Sequence, residues 1–403
     1  MTALLDRATT AGPRLPRTVG FAGISAAMVA ILVAAGAPTP LLPIYQARWD
    51  FPPSTLTLVF GVYALALLVA MLVIGSLSDH IGRRPLMIGA LAVELVAMLM
   101  FFLAPSVGWL IAGRVVQGIA TGAASSALSA AVVELAPERH KKLGALMTGM
   151  APLAGLGIGS LFAGLIAAPE TVWLVLVVIM ALGTAFTLVT PETATRKPGA
   201  LLSLIPSVQV PAQVRRLFST AIPGLVSGFM LMTLFMGLVP VVLVSVFAVH
   251  SPVVGSLAAF VAFSAGTAVA ATTTKISPHR LRLVGTSAMT VGAILFVGSV
   301  GAHSLPLLWA AAAFGGAGLG SSFSGTTRGM VPEVAPQHRA GLFTAIYLVG
   351  YLAMGVSAIV AGYFAGVVGA AAMATGFGVV TALVALTGVI VTTGFNRKSL
   401  ALS

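Results

Sequence analysis

Two ionisable residues of opposite charge lie inside long apolar stretches of the sequence. Glu94 falls within residues 85–104 and Arg114 within residues 107–134. Both are equally far from Ala104, where a turn would join the two stretches. Antiparallel helices would therefore place them at the same depth, about 15 Å below the turn at a rise of roughly 1.5 Å per residue. A charge in an apolar environment costs several kcal/mol unless it is paired or hydrated, so both residues are functional candidates and are expected to interact.

Glu94 is the acid best placed to exchange a proton inside an apolar region. The other acidic residues lie in loops or at the ends of apolar stretches. This position predicts that protonation of Glu94 is coupled to the activity of the protein. Two plainer interpretations stay open: the pair is a static contact that fixes helix register, or Glu94 faces lipid.

A second group of polar residues has the spacing of single helix faces. Gln117, Thr121 and Ser125 recur every four residues, and Tyr347 and Tyr351 are also four apart. Residues at this spacing share one face of a helix. We expect both faces to line a cavity for a solute, although packing explains the two tyrosines equally well.

Enzyme and cofactor chemistry is not indicated by the sequence. The chain has no cysteine, which excludes disulfides and thiolate metal sites, and its six histidines lack metal-ligand spacing. The glycine-rich segment 316–320 lies within an apolar stretch without strand context, and a Gly-Lys dipeptide is absent. Neither a dinucleotide-binding loop nor a phosphate-binding loop is therefore predicted. We expect no metal, no cofactor and no catalytic residue.

The composition indicates a membrane protein. Hydrophobic residues make up 58% of the 403 residues and charged residues only 7%. Soluble domains carry about 25% charged residues, which keep their surfaces wet, so this surface must face lipid. Long apolar stretches predict an all-α protein with twelve spans, at 19–44, 55–78, 85–104, 107–134, 143–168, 170–190, 217–248, 253–274, 283–302, 305–331, 341–367 and 369–394.

The basic residues predict the orientation of these spans. With both termini placed inside, Arg48 is the one Lys or Arg in an outside loop, and Arg114 and Arg328 lie within spans. The remaining Lys and Arg fall in inside loops and tails, as the positive-inside rule requires. This distribution accounts for the net charge of +12 without nucleic-acid binding. It places the chain in a bacterial-type plasma membrane with cytoplasmic termini.

The chain divides into two halves that resemble distant copies. The sequence Glu134-Leu-Ala-Pro recurs as Glu333-Val-Ala-Pro, and the same offset places Arg17 on Arg216. Parallel repeats of this kind occur in transporters. The predicted units are a cytoplasmic tail, a first six-helix bundle, a Pro-rich linker, a second six-helix bundle and a second tail, at residues 1–18, 19–190, 191–216, 217–394 and 395–403.

The loop after the second predicted span reads Gly75-Ser-Leu-Ser-Asp-His-Ile-Gly-Arg-Arg-Pro85. It resembles the signature motif of the major facilitator superfamily, which has a basic residue where His80 stands here. By this resemblance, the gating motif that locks the cytoplasmic side closed comprises Gly75, Asp79, Gly82, Arg83 and Arg84. The plainer interpretation is a basic loop that obeys the positive-inside rule.

Two further segments resemble motifs of the same family. Arg114-Val-Val-Gln-Gly118 resembles a motif of its proton-coupled branches. Residues 149–164 resemble its antiporter motif, but Ser160 stands where that motif has proline. The glycines of this segment, Gly155, Gly159 and Gly164, are expected to form a helix-packing face.

The resemblance covers the whole chain and is closest to the drug:proton antiporter and sugar-efflux branches. It implies a monomeric twelve-helix exporter of small organic solutes that is driven by the proton gradient and works by alternating access. Proton-coupled uptake of a sugar or organic acid on the same fold is the alternative. A transport-inactive sensor or assembly factor is a third interpretation.

Overall fold

The computed structural model describes residues 15–400, except for the side chains of residues 140, 142, 145 and 395–400. Most of the predicted N-terminal tail, with Arg7 and Arg14, and the last residues of the predicted C-terminal tail lie outside this description. The side chains of Arg397 and Lys398 lie outside it as well.

The described chain is helical from end to end, as predicted. The first half contains α1 (Arg17–Gly36), α2 (Pro38–Trp49), α3 (Pro53–Ile74), α4 (Ser78–Ile81), α5 (Arg83–Phe102), α6 (Val107–Leu135), α7 (Lys141–Ile166) and α8 (Pro169–Val189). The second half contains α9 (Ala212–Thr233), a π-helical turn (Leu234–Leu238), α10 (Val239–Ser245), α11 (Pro252–Thr272), α12 (Pro278–Ala302), α13 (Leu305–Met330), α14 (Pro336–Val368) and α15 (Ala370–Leu400). Short 3₁₀ turns lie at Glu138–His140, Leu202–Leu204 and Val331–Glu333.

Eleven helical segments within the described residues are long and apolar enough to cross a membrane. Each of the twelve predicted spans corresponds to a long helical segment, but α13 is not among those eleven. Its glycines, serines and threonines lower its hydropathy. The count of twelve spans therefore stays a prediction.

Several predicted boundaries differ from the structure, and three of these differences change the description of the fold. The first span is broken, because α1 ends at Gly36 and a new helix starts at Pro38, where proline lacks the N–H that would continue the ladder. The seventh is interrupted by the π-helical turn. The linker is shorter than predicted, because residues 212–216 already belong to α9.

The repeat extends through the whole fold. Adding the offset between Glu134 and Glu333 to α3 gives residues 252–273, and α11 runs from Pro252 to Thr272. The break between α1 and α2 likewise falls on the π-helical turn. The two halves are thus built from the same succession of helices.

Two helix pairs make the most extensive contacts between the halves, α3 with α14 and α7 with α11. We call the end of the bundle that carries residues 190–211 the linker side, and the opposite end, which carries residues 50–52, the far side. Close contacts in both pairs lie towards the far side: an added Cβ at Gly362 would be 3.0 Å from Ser54 O, and one at Gly164 would be 2.8 Å from Pro252 O. A buried cluster with members from both halves, including Phe60, Phe229 and Met354, fills this contact.

The glycines of α7 lie at helix contacts. Gly155 and Gly159 face α1, where an added Cβ at Gly155 would be 2.5 Å from Leu32 Cβ. Gly164 faces α11, where an added Cβ would be 2.8 Å from Pro252 O. This segment therefore packs within the first half at one end and against the second half at the other.

Candidate functional site

The intramembrane charges of the first half form one buried cluster with Gln117. Glu94 lies on α5, whereas Arg114 and Gln117 lie one turn apart on α6, and all three are at most 1% exposed. Gln117 Nε2 donates hydrogen bonds to Glu94 Oε1 (3.1 Å) and to Ala34 O on α1 (3.0 Å). Arg114 donates to Gln117 Oε1 (2.5 Å) and to Val59 O on α3 (3.3 Å). Four helices of the first half therefore meet at this cluster.

The expected direct ion pair is not formed. Within the described residues, no Glu94 oxygen lies within 4.0 Å of an Arg114 nitrogen, and the Gln117 amide bridges the two groups instead. The reason is the spacing on α6, where residues three apart share a face, so the amide reaches both charges. The lipid-facing interpretation of Glu94 is wrong, because the side chain is 0% exposed.

The second carboxylate oxygen of Glu94 is buried without a hydrogen-bond partner in the described chain. An ionised carboxylate accepts hydrogen bonds at both oxygens, whereas a protonated one donates from one of them. The cluster is thus incomplete around Glu94, while Arg114 has two oxygen partners.

Sequence reasoning missed Tyr63, which completes the surroundings of Arg114. The guanidinium carbon of Arg114 lies 4.0 Å from the centroid of the Tyr63 ring, a cation–π contact. Tyr63 lies in an apolar stretch and belongs to no motif. Its role depends on the packing of α3 against α6 at Gly118, where an added Cβ would be 2.6 Å from Tyr63 O.

The polar face of α6, formed by Gln117, Thr121 and Ser125, is more buried than predicted. Gln117 and Thr121 are buried inside the first half, so they do not line an open cavity in this conformation. Thr121 Oγ1 donates to Gln117 O (2.9 Å) and Ser125 Oγ to Thr121 O (2.6 Å). Hydroxyl groups in an apolar helix take such backbone partners when no water is present. Ser125 is half-buried.

The predicted tyrosine pair lies at the junction of the halves. Tyr347 and Tyr351 stack along α14 with ring centroids 5.9 Å apart, and both are half-buried. Tyr351 also contacts Phe229 edge-on (5.2 Å), and Tyr347 contacts Phe323 and Phe343. Both tyrosines pack against the buried cluster that contains Tyr63 and has members from both halves.

The predicted gating motif forms an ion-pair network on the linker side. Arg83 pairs with Asp79 and also with Glu134 at the end of α6 (3.3 Å). Gly82 has a φ of 105°, a conformation that favours glycine, and it turns the chain into α5. Gly75 is the residue that follows α3, with a helical φ of −56°. The network therefore ties the loop after α3 to the end of α6.

The linker adds a carboxylate to this loop. Glu192 accepts hydrogen bonds from the backbone N–H groups of Arg83 (2.9 Å) and Arg84 (3.2 Å) at the start of α5. The first N–H groups of a helix lack intrahelical partners, so a carboxylate there is stabilising. The Arg84 side chain donates to Leu188 O at the end of α8.

The rest of the linker connects this loop to the second half. Lys197 N donates to Asp79 O (3.1 Å), and Ser76 Oγ donates to Ser203 O (2.7 Å). At its other end, Gln209 N donates to Gly341 O near the start of α14 (3.4 Å). The loop therefore contacts both the end of α6 and the linker in this conformation.

Among the residues that the structure describes, no group of three His, Cys, Asp or Glu is arranged to hold a metal ion. A buried acid and a buried base lie inside the first half instead. Tyr63 contacts the base and belongs to the buried cluster that joins the halves.

Curated relatives match only part of the chain. A segment of 103 residues is 33% identical to the inner membrane transport protein YajR of Escherichia coli strain K12, over 25% of this chain and 22% of the relative. A segment of 133 residues is 32% identical to the uridine/deoxyuridine transporter of Lactococcus lactis subsp. cremoris strain MG1363, over 31% of this chain and 28% of that one. The matches thus span less than a third of either relative.

Solved structures match the fold over nearly its whole length. The human organic anion transporter MFSD10 (TETRAN) aligns with a TM-score of 0.67 at 20% identity, over 93% of this chain and 100% of that structure. A POT family transporter in complex with a thioalcohol-conjugated peptide aligns with a TM-score of 0.73 at 13% identity, over 91% and 94%. Identities this low show the fold alone.

The family model of the Major Facilitator Superfamily matches residues 18–358, which include the gating loop, the charge cluster and the tyrosine pair. The two curated relatives are themselves named as transporters. The chain therefore belongs to the Major Facilitator Superfamily, and its long apolar helices make it a multi-pass membrane protein.

Proposed function

We propose that the protein exports small organic molecules in exchange for protons, by rocking of its two halves about a central site. The observation that carries this proposal is the buried Glu94–Gln117–Arg114 cluster. Acidic and basic residues at membrane depth are expensive to bury and mark ion or proton pathways. A cluster needed only for packing would be served better by apolar side chains.

Protonation of Glu94 removes the negative charge that balances the positive charge of Arg114. With Glu94 ionised, the cluster contains one negative and one positive charge, linked through the Gln117 amide. With Glu94 protonated, Arg114 is a lone buried cation, and burial of an unpaired charge is unfavourable. The protonated state therefore favours a conformation that brings water or a solute to the cluster, which is the linkage that an antiporter requires.

The aromatic surface of α14 is suited to bind a solute with a planar or apolar part. Tyr347 and Tyr351 present rings and hydroxyl groups at the junction of the halves, and Phe229 extends that surface. Aromatic side chains offer large contact areas, and tyrosine adds a hydrogen-bonding end. The relative in L. lactis is named for uridine and deoxyuridine, which are planar, polar solutes of this kind.

The Asp79–Arg83 network is the proposed lock of the linker side. The halves already meet on the far side in this conformation, so export requires the linker side to close when the far side opens. The loop after α3 and the linker lie where such closure takes place. This assignment places the linker side in the cytoplasm of a cell bounded by a bacterial-type plasma membrane.

Proton-coupled uptake of a nutrient is the second candidate. One observation favours it: Ser160 stands where the antiporter motif has proline, and its hydroxyl lies 3.5 Å from Ser256 O on α11. The sign of the flux separates the two candidates. Robust flux of any solute in liposomes would exclude a transport-inactive sensor.

The experiment is accumulation of a substrate panel in everted membrane vesicles energised with an inside-acid pH gradient. We expect a solute to accumulate in wild type, and the accumulation to collapse with the gradient and in Arg114→Ala. Arg48→Ala is the matched control, because Arg48 pairs with Glu170 in an exposed position on the far side. Downhill movement in right-side-out vesicles, without accumulation in everted ones, would contradict export and support uptake.

A further inference from the structure

Tyr63 lies between two features that the proposed function uses separately. Its ring contacts the Arg114 guanidinium within the first half, 4.0 Å from ring centroid to guanidinium carbon. On its other side it belongs to the buried cluster that joins the halves, against which Tyr347 and Tyr351 pack. Tyr63 and Tyr351 are near enough to interact electrostatically.

The contact between Tyr63 and Arg114 lies within the first half and would persist when the halves rock. Helices α3 and α6 pack backbone to backbone, since an added Cβ would lie 2.6 Å from Tyr63 O at Gly118 and 2.5 Å from Leu67 O at Gly122. Arg114 also donates to Val59 O, one turn before Tyr63 on α3. Tyr63 and Arg114 therefore move together when the halves rock.

The contact between α14 and the cluster that contains Tyr63 would change when the halves rock. It crosses from the first half to the second, and the contacts that join α3 to α14 lie towards the far side. Opening of the far side must separate α3 from α14. The same motion removes Tyr351 from Tyr63 but leaves Arg114 on the Tyr63 ring.

We propose that Tyr63 is a positioning residue that holds Arg114 and makes its position depend on whether α14 is docked. In the docked conformation, α14 confines the Tyr63 ring, and the ring covers the guanidinium. In the undocked conformation the ring is released, and Arg114 gains access to water or solute. Protonation of Glu94 and separation of the halves are thereby linked through one side chain. This inference rests on the proposed proton coupling.

The charged and titratable groups around this contact are Arg114, Glu94 and Tyr351. Arg114 on α6 contacts the Tyr63 ring, Glu94 on α5 is linked to Arg114 through Gln117, and Tyr351 on α14 packs against the buried cluster that contains Tyr63. A pH-dependent response of Tyr63 therefore arises through Glu94, with Arg114 between them.

The experiment measures the linker-side distance between the halves at two pH values. The chain lacks cysteine, so spin labels at Leu146→Cys on α7 and Thr272→Cys on α11 need no background removal. Both positions are exposed, and they lie at the linker-side ends of the packed helix pair. We expect the distance distribution of the labelled wild type to shift between about pH 6 and about pH 8 in nanodiscs, one unit either side of neutrality.

Three variants test the role of Tyr63. Tyr63→Phe keeps the ring on Arg114 and should retain the pH response. Tyr63→Leu removes the ring and should reduce the ratio of pH-induced populations roughly tenfold, the magnitude expected for a desolvated cation–π contact. Tyr351→Leu alters the second half alone and should also reduce the response, which keeps the test valid if Tyr63→Leu fails to fold.

The outcomes separate this inference from the proposed function. If Tyr63→Leu and Tyr351→Leu respond to pH as wild type does while Glu94→Gln does not, Tyr63 has no positioning role and proton coupling stands. If Glu94→Gln also responds as wild type does, proton coupling through Glu94 is wrong and the inference falls with it. Loss of the response in Tyr63→Phe would also overturn the inference, because the hydroxyl rather than the ring would then be required.

Discussion

The two halves share a helical framework but differ at their centres. At the offset that relates Glu134 to Glu333, the places of Glu94, Arg114, Gln117 and Tyr63 are occupied by Ala293, Ala313, Gly316 and Ala262. Where the first half holds polar side chains between its helices, the second closes the gap with backbone: an added Cβ at Gly316 would lie 2.6 Å from Ala262 Cα. The centre of the first half thus contains ionisable side chains. The centre of the second half is filled by closely packed backbone, and this half presents an aromatic surface.

The linker side shows the same asymmetry. Arg83 and Arg282 are related by the offset. Arg83 pairs with Asp79 and Glu134, whereas Arg282 is buried and donates to Thr220 Oγ1 (2.9 Å), and Pro278 stands at the place of Asp79. An arginine with two carboxylates can exchange partners during a motion, whereas one held by a neutral hydroxyl fixes a helix contact.

The largest expected effect comes from Arg114→Ala. It leaves the buried Glu94 carboxylate without its cation, and breaking a buried charge pair typically costs about 3–5 kcal/mol. We expect a clear fall in the thermal unfolding temperature in detergent and loss of gradient-driven transport. Glu94→Gln in the same chain should recover much of the stability but not the transport. Ala313→Ser, at the related position of the second half, is the control and should change neither; equal destabilisation by both would contradict the asymmetry.

A smaller effect is expected for Gln117→Leu. Leucine is similar in size but lacks the amide that bridges Glu94 and Arg114, so these two groups and the carbonyl of Ala34 each lose a hydrogen bond. Such losses cost about 1–3 kcal/mol each. We expect lower thermal stability than wild type, and transport at a reduced rate with an altered pH profile. An unchanged pH profile would mean that the bridge is structural only.

The smallest effect is expected for Arg83→Ala, which tests the comparison between Arg83 and Arg282 on the linker side. Arg83→Ala breaks two partly exposed ion pairs, which together contribute on the order of 1 kcal/mol. We expect little change in stability but a shift of the labelled linker-side distance towards larger values, because the proposed lock is lost. Arg282→Ala should leave that distribution where it is in wild type. The reverse result would assign the lock to the second half.

The sequence was sufficient for the fold and for the residue types of the site. Apolar stretches predicted the helices, because burial in lipid leaves few alternatives for a backbone. The equal distance of Glu94 and Arg114 from Ala104 predicted that they lie at the same depth, and both belong to one cluster in the structure. Periodicity could not show that the Gln117 amide reaches both charges, since that depends on rotamers and on the rotation of α5 against α6.

Other features depended on packing that the sequence does not encode locally. Tyr63 became a partner of Arg114 through the approach of α3 to α6, and its neighbours in the sequence give no signal of this. Glu192 lies in the Pro-rich linker, and its contact with the start of α5 joins segments that are far apart in the chain. The break between Gly36 and Pro38 was signalled by its prolines, whereas the π-helical turn had no such marker.

The most direct test of the central claim is the pH dependence of transport in Glu94→Gln. Glutamine keeps the shape of the side chain and its contact with Gln117 but cannot exchange a proton. We predict that downhill flux persists while accumulation driven by a pH gradient is lost, with Glu170→Gln on the far side behaving as wild type. Gradient-driven accumulation in Glu94→Gln equal to that of wild type would contradict the claim that the buried acid of the first half carries the coupled proton.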